Sequence, residues 1–331
     1  MNIENEIIKP REFIPYTPCR SVDYYKKLFT VNEGTFGVVY CAQDKETNEI
    51  VALKKIKMER EREGFPITSV REVKALMELR HENIVLVKEV VLGKSMTSIF
   101  MVMEYIEHDL RGLMESTKKA FLQSEIKTLM YHLLSGLSYM HENWVIHRDL
   151  KTSNLLYTNS GILKIGDFGS ARDYSSPVRK LSDGICTLWY RAPEVLLGSR
   201  HYTTAIDMWS AGCIFAEILS REVLLPGNSD IDQLDKIFKL LGTPTPQIWP
   251  DFYSLPLVKN INFEKQPFNN LKLKFPHITD QTFNLLSSML TFDPQKRITA
   301  KDALNHSYFT ENPPPRDPLF MPRYPSSHKK S

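Results

Sequence analysis

The spacing of apolar residues changes near Tyr105, and this change limits the fold more than any other feature of the 331-residue sequence. Residues 28–57 form Val- and Tyr-rich segments around Gly- and Asn-bearing turns, which predicts three antiparallel strands, and residues 98–106 predict another strand. Residues 109–309 instead place apolar side chains three and four positions apart between Pro and Gly turns, a pattern typical of helices. The sequence therefore predicts an α+β fold with two unequal lobes.

The same change divides the chain into parts. We predict an N-terminal extension over residues 1–22, a small β-rich lobe over 23–104 and a larger, mainly helical lobe over 105–309. Residues 310–331 are rich in Pro and close on basic and polar residues, which predicts a partly disordered tail.

Composition excludes several classes of protein. The chain has 42 basic and 39 acidic residues and a net charge of +3, so we expect no direct nucleic-acid partner. The four cysteines have neither paired nor metal-type spacing, which favours a reducing, intracellular compartment. The most apolar window, residues 205–219, is shorter than the roughly 20 residues that cross a bilayer. It also contains Asp207 and Glu217, so we predict a buried helix and no membrane contact.

The segment "GFPITSVREVKALMEL", residues 64–79, predicts a helix that is apolar over most of its circumference. At about 100° per residue its apolar side chains cover roughly 240°, which is more than one packing partner needs. Glu72 falls between apolar positions, where burial of a carboxylate requires a cation. The segment therefore predicts two apolar partners for the helix and a cationic partner for Glu72.

Two short motifs indicate the chemistry. "HRDLKTSN", residues 147–154, and "DFG", residues 167–169, are joined by one short hairpin that brings two acidic groups and an amide together. Phosphoryl transfer requires metal ions that bridge phosphate oxygens, hard oxygen ligands for those ions, and a base near the attacking hydroxyl. An isolated DFG would indicate only a turn, but the two motifs in this order indicate phosphoryl transfer.

Further motifs extend this pattern upstream and downstream. "NEGTFGVV", residues 32–39, adds a Gly-rich turn between strands, "VALKK", residues 51–55, adds a lysine on the next strand, and "APE" stands at 192–194. With these motifs in this order, the sequence resembles the eukaryotic protein kinases over residues 23–309. The resemblance implies the bilobal protein kinase fold, with ATP and Mg²⁺ as cofactors.

The resemblance also implies roles for individual residues. Lys54 would bind the ATP phosphates and pair with Glu72, which would explain the carboxylate in the apolar helix. Asp149 would be the catalytic base, and Lys151, two places later, would neutralise the transferred phosphoryl group, an arrangement similar to that of serine/threonine kinases. The residues implied for magnesium are Asn154 and Asp167.

The nucleotide site of the family maps onto the small lobe and the connection between the lobes. Met103 would lie at the back of the adenine pocket, and Glu104 and Ile106 would offer backbone groups. Asp109 would either contact the ribose or cap a helix. Asn32 replaces a usual glycine. Because Asn tolerates positive φ the turn can persist, but we expect a stiffer loop, and its effect on ATP affinity stays open. The remaining residues implied for the nucleotide are Val31, Glu33, Gly34, Thr35, Phe36, Gly37, Val38, Val39 and Ala52.

"PITSVRE", residues 66–72, resembles the helix signature of the PITSLRE-type cyclin-dependent kinases, with Val in place of Leu. "TLWYRAPE", "TAIDMWS" and "LLGTPTPQIWP" are also similar to that family, and residues 266–276 are similar to its PISSLRE-type members. The family implies a cyclin, with the L type as one candidate, that packs on this helix at Ile67 and Val70. The alternative is that the chain's own N-terminal segment and sheet cover the apolar arc.

The activation segment contains a position that the resemblance marks as regulatory. Ser182 stands five residues before Thr187, where family members carry an activating phosphothreonine. Arg71, Arg148 and Arg172 are the cations that would meet its phosphate. A loop serine and ordinary arginine pairs are the alternative.

Other positions follow from the same resemblance. Thr35 would keep one inhibitory phosphorylation site, while Phe36 replaces the second. Arg191 would shape a pocket for a proline after the target residue, because that pocket offers no partner for a backbone N–H. Glu194 and Arg297 are expected to form a buried ion pair, with a surface pair as the alternative.

The resemblance thus predicts a cyclin-dependent serine/threonine kinase that transfers the γ-phosphate of ATP to Ser or Thr followed by Pro. It implies a nuclear protein in transcription and RNA processing or cell-cycle control, with the cytoplasm as a further location. One alternative is a pseudokinase scaffold with little turnover, which Asn32 supports. Another is a cyclin-independent enzyme similar to the MAP kinases, although the activation segment lacks their Thr-x-Tyr.

Overall fold

The computed structural model describes residues 19–34, 37–56, 77–94, 98–117, 119–173, 187–199, 203–260 and 263–325. Within these ranges a β-sheet lobe precedes a mainly helical lobe, so the predicted α+β class with unequal lobes is confirmed.

The small lobe is a five-stranded antiparallel sheet. Its strands are β1 (Tyr25–Gly34), β2 (Gly37–Asp44), β3 (Ile50–Ile56), β4 (Val87–Leu92) and β5 (Ile99–Glu104). They lie side by side in the order β1-β2-β3-β5-β4 and pack around Leu53, Val91 and Phe100. The strands expected within 28–57 and 98–106 are confirmed, whereas β4 was not predicted. A bulge between Val87 and Glu89 interrupts the alternation that would have indicated a strand there.

The large lobe is built from eight described α-helices. They are α1 (Leu110–Ser116), α2 (Gln123–Glu142), α3 (Pro193–Leu196), α4 (Ala205–Ser220), α5 (Asp230–Leu241), α6 (Leu271–Lys274), α7 (Asp280–Met289) and α8 (Ala300–Leu304). Helix α4 is buried from Ala205 to Ile218, so the predicted buried helix is confirmed. Among the described residues no helix combines the length and the apolar character needed to cross a membrane.

Two small sheets lie where the catalytic motifs begin and end. β6 (His108–Asp109) pairs with β8 (Leu155–Tyr157), and β8 pairs with β9 (Leu163–Ile165). β7 (Val145–Ile146) pairs with β10 (Arg172–Asp173). Because Asn154 directly precedes β8 and Asp167 follows β9 by two residues, the hairpin between these strands brings both residues to one end of the sheet.

The helix predicted over residues 64–79 falls mostly outside the described residues. Of its three described residues, Met77 and Glu78 have helical backbone, and Leu79 is buried in the core of the large lobe. The predicted partner positions Ile67 and Val70 lie outside the described ranges, as does Glu72.

Packing continues beyond Phe309. Glu311 and Arg316 form ion pairs with helix α2, and Met321 is buried in the main hydrophobic core. Residues 310–325 therefore lie against the large lobe.

Candidate active site

A carboxylate of helix α4 accepts hydrogen bonds from the backbone of the catalytic loop, residues 147–154. Asp207 Oδ2 accepts a hydrogen bond from His147 N at 2.8 Å, and its Oδ1 accepts one from Arg148 N at 2.9 Å. Arg148 has a φ of 68°, a left-handed conformation that requires such support. Burial opposes ionisation of Asp207, but His141, whose Nε2 lies 3.0 Å from Oδ2, and His147 lower its pKa below the ordinary value. An ionised carboxylate thus fixes the backbone of the loop.

Asp149 lies within this loop and is 1% exposed. Its Oδ2 lies 3.0 Å from Lys151 Nζ, and its Oδ1 accepts a hydrogen bond from Thr187 N at 3.3 Å. Lys151 Nζ also donates to Thr187 Oγ1 at 3.1 Å. A carboxylate held in this way can accept a proton from a hydroxyl, while the lysine ammonium beside it can balance negative charge that develops nearby.

Asn154 closes the loop through its side-chain amide. Its Nδ2 donates to Asp149 O at 2.8 Å. The amide oxygen Oδ1 takes no part in this bond and is the atom that can act as an acceptor or metal ligand. Asn154 O accepts from Gly166 N at 2.9 Å, and His147 Nε2 lies 2.9 Å from Gly166 O. The end of β9 is therefore tied to the catalytic loop at two points.

Asp167 follows Gly166 in a left-handed conformation, with φ 54° and ψ 71°. Its Oδ1 lies 2.5 Å from Lys54 Nζ, so the two lobes meet at this ion pair. Burial raises the pKa of the Asp167 carboxyl, but the Lys54 ammonium, with His147 and Lys151, lowers it below the usual value. The next side chain, Phe168, is buried with its ring 5.2 Å from that of His147. The DFG segment is thus anchored with its carboxylate toward the small lobe.

Lys54 reaches the site from β3, where it pairs in register with Val39 of β2. Gly37, at the start of β2, has a φ of 135°, and a Cβ there would lie 2.3 Å from Lys55 O, so only glycine fits. Asn32 lies in β1 opposite Val39. It is not among the five described non-glycine residues with positive φ, so the left-handed conformation considered for it is not adopted.

The connection between the lobes contains the residues expected at the adenine pocket. Met103 of β5 pairs in register with Ala52 of β3, and Ile106 is buried. Glu104 Oε1 accepts from Leu86 N at 2.7 Å and lies 2.8 Å from Lys164 Nζ. The other residues expected around the nucleotide, Val31, Glu33, Val38 and Val39, lie on β1 and β2.

Asp109 had two expected roles. Its Oδ1 accepts a hydrogen bond from Gly112 N at 2.8 Å, and Asp109 is the N-cap of helix α1. The structure therefore shows the helix cap.

The oxygen donors suit a divalent cation that is shared with phosphates. Asp167 offers an ionised carboxylate, and Asn154 offers an amide oxygen at the same end of the β8–β9 sheet. In the described part of the chain no three His, Cys, Asp or Glu side chains gather as a metal cage. Mg²⁺ usually binds through one or two protein oxygens together with substrate phosphates, so this donor set fits Mg²⁺ held with ATP.

Some expected site residues cannot be compared with the structure. Those outside the described ranges are Thr35, Phe36, Ile67, Val70, Arg71, Glu72 and Ser182, and only the backbone is described for Asn32, Gly34 and Arg172. Of the remaining residues, Arg148 Nε donates to Ser170 O at 2.6 Å, and Arg191 NH1 lies 2.8 Å from Asp230 Oδ1.

The predicted pair of Glu194 and Arg297 is confirmed as a buried one. Arg297 NH1 lies 2.7 Å from Glu194 Oε1, and NH2 lies 3.0 Å from Oε2. The guanidinium also donates to Ala205 O at 2.7 Å and to Phe292 O at 3.1 Å. The end of the activation segment is therefore fixed to the large lobe by a bidentate, fully bonded charge pair.

The sequence alone did not indicate the ion pair of Lys54 with Asp167, nor three further contributions to the site. They are the contacts of Thr187 with the catalytic loop, the support of that loop by Asp207, and the bridge from Glu104 to Lys164. Asp207 gave a signal, because an acidic residue in an apolar helix is costly to bury unless it accepts hydrogen bonds. No local pattern indicated the other two.

The fold, together with Lys54, Asp149, Asn154 and Asp167 around one cleft, defines a protein kinase. The family model "Protein kinase domain" matches residues 25–309, and the chain belongs to this family.

The names of curated relatives indicate which group of protein kinases the chain belongs to. Cyclin-dependent kinase 11 of Dictyostelium discoideum is 70% identical over 317 residues, which cover 96% of this chain and 88% of the relative. Cyclin-dependent kinase 11A of Homo sapiens is 53% identical over 94% of this chain and 40% of the relative. Cyclin-dependent kinase G-2 of Oryza sativa subsp. indica is 56% identical over 93% of this chain and 44% of the relative. The chain is thus a serine/threonine kinase of the PITSLRE-type cyclin-dependent kinases, and it spans less than half of the human and rice relatives.

Proposed function

We propose that this chain is a cyclin-dependent kinase that transfers the γ-phosphate of ATP, with Mg²⁺, to Ser or Thr followed by Pro in protein substrates. The observation that carries the proposal is the buried Asp149 carboxylate, 3.0 Å from Lys151 Nζ and one loop away from the oxygen donors of Asn154 and Asp167. A base, a cation and two metal ligands are the groups that phosphoryl transfer needs.

Each group of the chain has one task in this reaction. Asp149 accepts the proton of the substrate hydroxyl, while Lys151 balances the charge of the transferred group. Lys54 binds phosphate oxygens, which requires that it exchange its contact with Asp167 for the nucleotide. Asn154 and Asp167 would hold Mg²⁺, which neutralises the phosphate oxygens when it is bound.

We further propose that a cyclin, with the L type as the first candidate, packs on the helix that contains Ile67 and Val70. The support is the apolar arc of roughly 240°, which exceeds what one partner covers, together with the names of the relatives as cyclin-dependent kinases. The Ser182 phosphate would bind Arg71, Arg148 and Arg172.

Specificity for a following proline is proposed from Arg191, which lies four residues after Thr187, the residue whose backbone N–H and hydroxyl contact the catalytic loop. Its NH1 lies 2.8 Å from Asp230 Oδ1, an arrangement that holds the guanidinium in place. A nuclear role in transcription and RNA processing, or in cell-cycle control, follows by analogy with the branch.

Phosphate transfer by the purified chain, measured with and without a cyclin L subunit, tests the proposal. Peptides that differ only in Ser-Pro against Ser-Ala report the proline preference, and Asp149→Asn is the catalytic control. We expect transfer that needs the cyclin, favours Ser-Pro, and falls by about 10²–10⁴-fold in Asp149→Asn. Equal transfer by both proteins would identify a scaffold, and full transfer without a cyclin would favour the MAP-kinase-like alternative.

A further inference from the structure

The C-terminal segment Arg316–Tyr324, here called the tail strap, packs against helix α2 and the three-stranded sheet β6-β8-β9. Arg316 begins the strap on helix α2: its N donates to Ser124 O at 3.0 Å, and its NH1 lies 2.8 Å from Glu125 Oε1. Thr128 Oγ1 donates to Arg316 O at 2.7 Å. A residue with three such contacts gives the strap a fixed starting point.

The middle of the strap presses on the turn between β8 and β9. Gly161 in this turn has a φ of 83°, and a Cβ there would lie 2.1 Å from Pro318 O and 2.7 Å from Met321 Cβ. Met321 itself is 4% exposed. The turn therefore has room for the strap only because residue 161 is glycine.

The end of the strap contacts β6 and β8. Tyr157 OH donates to Pro322 O at 2.6 Å, and Tyr324 N donates to Asn159 Oδ1 at 2.9 Å. The Tyr324 ring packs edge-on against His108 of β6, with centroids 6.0 Å apart, and against Tyr157 of β8, at 5.9 Å. His108 is 5% exposed, and its Nε2 has no hydrogen-bond partner among the described residues, so its contact with Tyr324 is a ring contact and not a hydrogen bond.

The strands under the strap carry two residues of the active site. Asn154 directly precedes β8, and Asp167 follows β9 by two residues. Tyr324 clamps β6 to β8 at the register pair His108 and Tyr157, one residue before Asp109. The strap therefore acts on the sheet that sets where these groups stand.

We propose that Tyr324 is a positioning residue for nucleotide binding: through the tail strap it holds β6 against β8 and so aligns Asn154 with Asp167 at the site proposed for MgATP. The inference rests on the proposed use of MgATP. It assigns a role to a segment outside the 25–309 match with the kinase family. The strap touches neither substrate nor cofactor in this role.

The test compares three variants of the full chain with its cyclin. Tyr324→Ala removes the ring, Tyr324→Phe keeps it, and Phe320→Ala removes a ring of the same strap that is 68% exposed. We expect the KM for ATP to rise about tenfold in Tyr324→Ala, with kcat changed less than about twofold and the KM for peptide unchanged. Tyr324→Phe and Phe320→Ala should behave like the unaltered chain, because the ring contacts with His108 and Tyr157 remain.

Amide hydrogen exchange of β6 and β8, measured on the same proteins, makes the test independent of activity. We expect about tenfold faster exchange in Tyr324→Ala and no change in the two other variants. An active unaltered chain whose KM for ATP is the same in all variants would overturn the role of Tyr324 and leave the proposed function standing. An unaltered chain without transfer would overturn the proposed function, and unchanged exchange in Tyr324→Ala would then overturn the strap as well.

Discussion

The catalytic loop of the large lobe and the lysine of the small lobe are held in the active site by different kinds of contact. The catalytic loop is stabilised by Asp207, which is fully buried and accepts two hydrogen bonds from the loop backbone. Lys54 is 15% exposed and meets Asp167, which is 29% exposed, in an ion pair. One side of the site is therefore built into the core, and the other is joined by a contact that water can reach.

The two kinds of contact should contribute differently to the free energy of unfolding and to the binding of substrate. A buried charge with all its hydrogen bonds made cannot change partner without a large cost, so the groups on the loop are preorganised. A partly exposed ion pair contributes little to stability, and its members can exchange partners at low cost. The structure thus predicts that the large-lobe contacts determine the free energy of unfolding, while the ion pair of Lys54 with Asp167 can open for MgATP.

The largest expected effect on stability is at Glu194. Glu194→Gln leaves the buried Arg297 guanidinium, which is 0% exposed, without its counter-charge. We expect the free energy of unfolding to fall by about 3–5 kcal/mol. Urea denaturation followed by tryptophan fluorescence measures this change, because Trp209 lies beside Arg297. The distance from Arg297 Cζ to the centroid of the Trp209 ring is 5.1 Å.

The matched control is Glu142→Gln. Glu142 pairs with Lys301 at 3.1 Å, but both side chains are more than half exposed. Its loss should change the free energy of unfolding by less than about 0.5 kcal/mol. Equal effects at the two sites would remove the distinction between buried and exposed pairs.

Asp207→Asn should have the next largest effect. Both carboxylate oxygens accept backbone N–H groups, so an amide in either orientation points an NH₂ group at a donor. We expect a loss of about 2–3 kcal/mol in the free energy of unfolding. Phosphate transfer should fall as well, because the left-handed Arg148 loses the bond that holds it.

Asp235→Asn is the control for Asp207→Asn, since Asp235 forms an exposed pair with Lys239 within one helix. Denaturation midpoints and transfer rates should be the same as in the unaltered chain. A stable Asp207→Asn protein with full transfer would show that the loop holds its conformation without this carboxylate.

The sequence predicted the parts of the site that lie close together in the chain. Asp149, Asn154 and Asp167 belong to two motifs joined by one hairpin, so their meeting follows from local geometry. The pairing of Glu194 with Arg297, 103 residues apart, was expected only from the resemblance to kinases.

Contacts between distant segments were the ones that sequence reasoning missed. Lys54 and Asp167 are 113 residues apart, and a strand pattern says which face a lysine lies on but not which partner it reaches. The tail illustrates the same limit. Its Pro content predicts an extended segment, but the burial of Met321 depends on the space above Gly161, which only the fold creates.

Acid should destabilise the large lobe through His132. Burial lowers the pKa of this histidine to about 4, against a small raising effect of Glu82, and its Nδ1 accepts from Leu163 N at 3.3 Å. Its pKa in the unfolded chain is about 6.5, so the unfolded state binds the proton first as pH falls. The stability from the neutral ring is therefore complete above about pH 6.5 and is lost between about pH 6.5 and 4.

From these values we expect the free energy of unfolding to be about 2 kcal/mol lower at pH 5 than at pH 7.5 because of His132 alone. Denaturation of His132→Gln at both pH values measures this contribution, because the variant should lack that part of the pH dependence. The exposed His277 provides the control substitution, His277→Gln. An unchanged pH dependence in His132→Gln would mean that the His132 ring takes up its proton over the same pH range in the folded and unfolded states.

Lys54→Met should lower stability less than the changes at Glu194, Asp207 and His132, although its effect on phosphate transfer is large. Lys54→Met removes the partly exposed pair with Asp167, so the free energy of unfolding should change by less than about 1 kcal/mol. The pKa of Asp167 should rise, because its burial remains and the cation that lowers it is gone. Transfer should fall by at least about 100-fold through loss of the phosphate contact.

The control is Lys55→Met, because Lys55 follows Lys54 in β3 and is exposed. This change should alter neither the free energy of unfolding nor the rate of phosphate transfer. A loss of stability in Lys54→Met as large as that in Glu194→Gln would show that the Lys54–Asp167 pair stabilises the fold as strongly as the buried Glu194–Arg297 pair does.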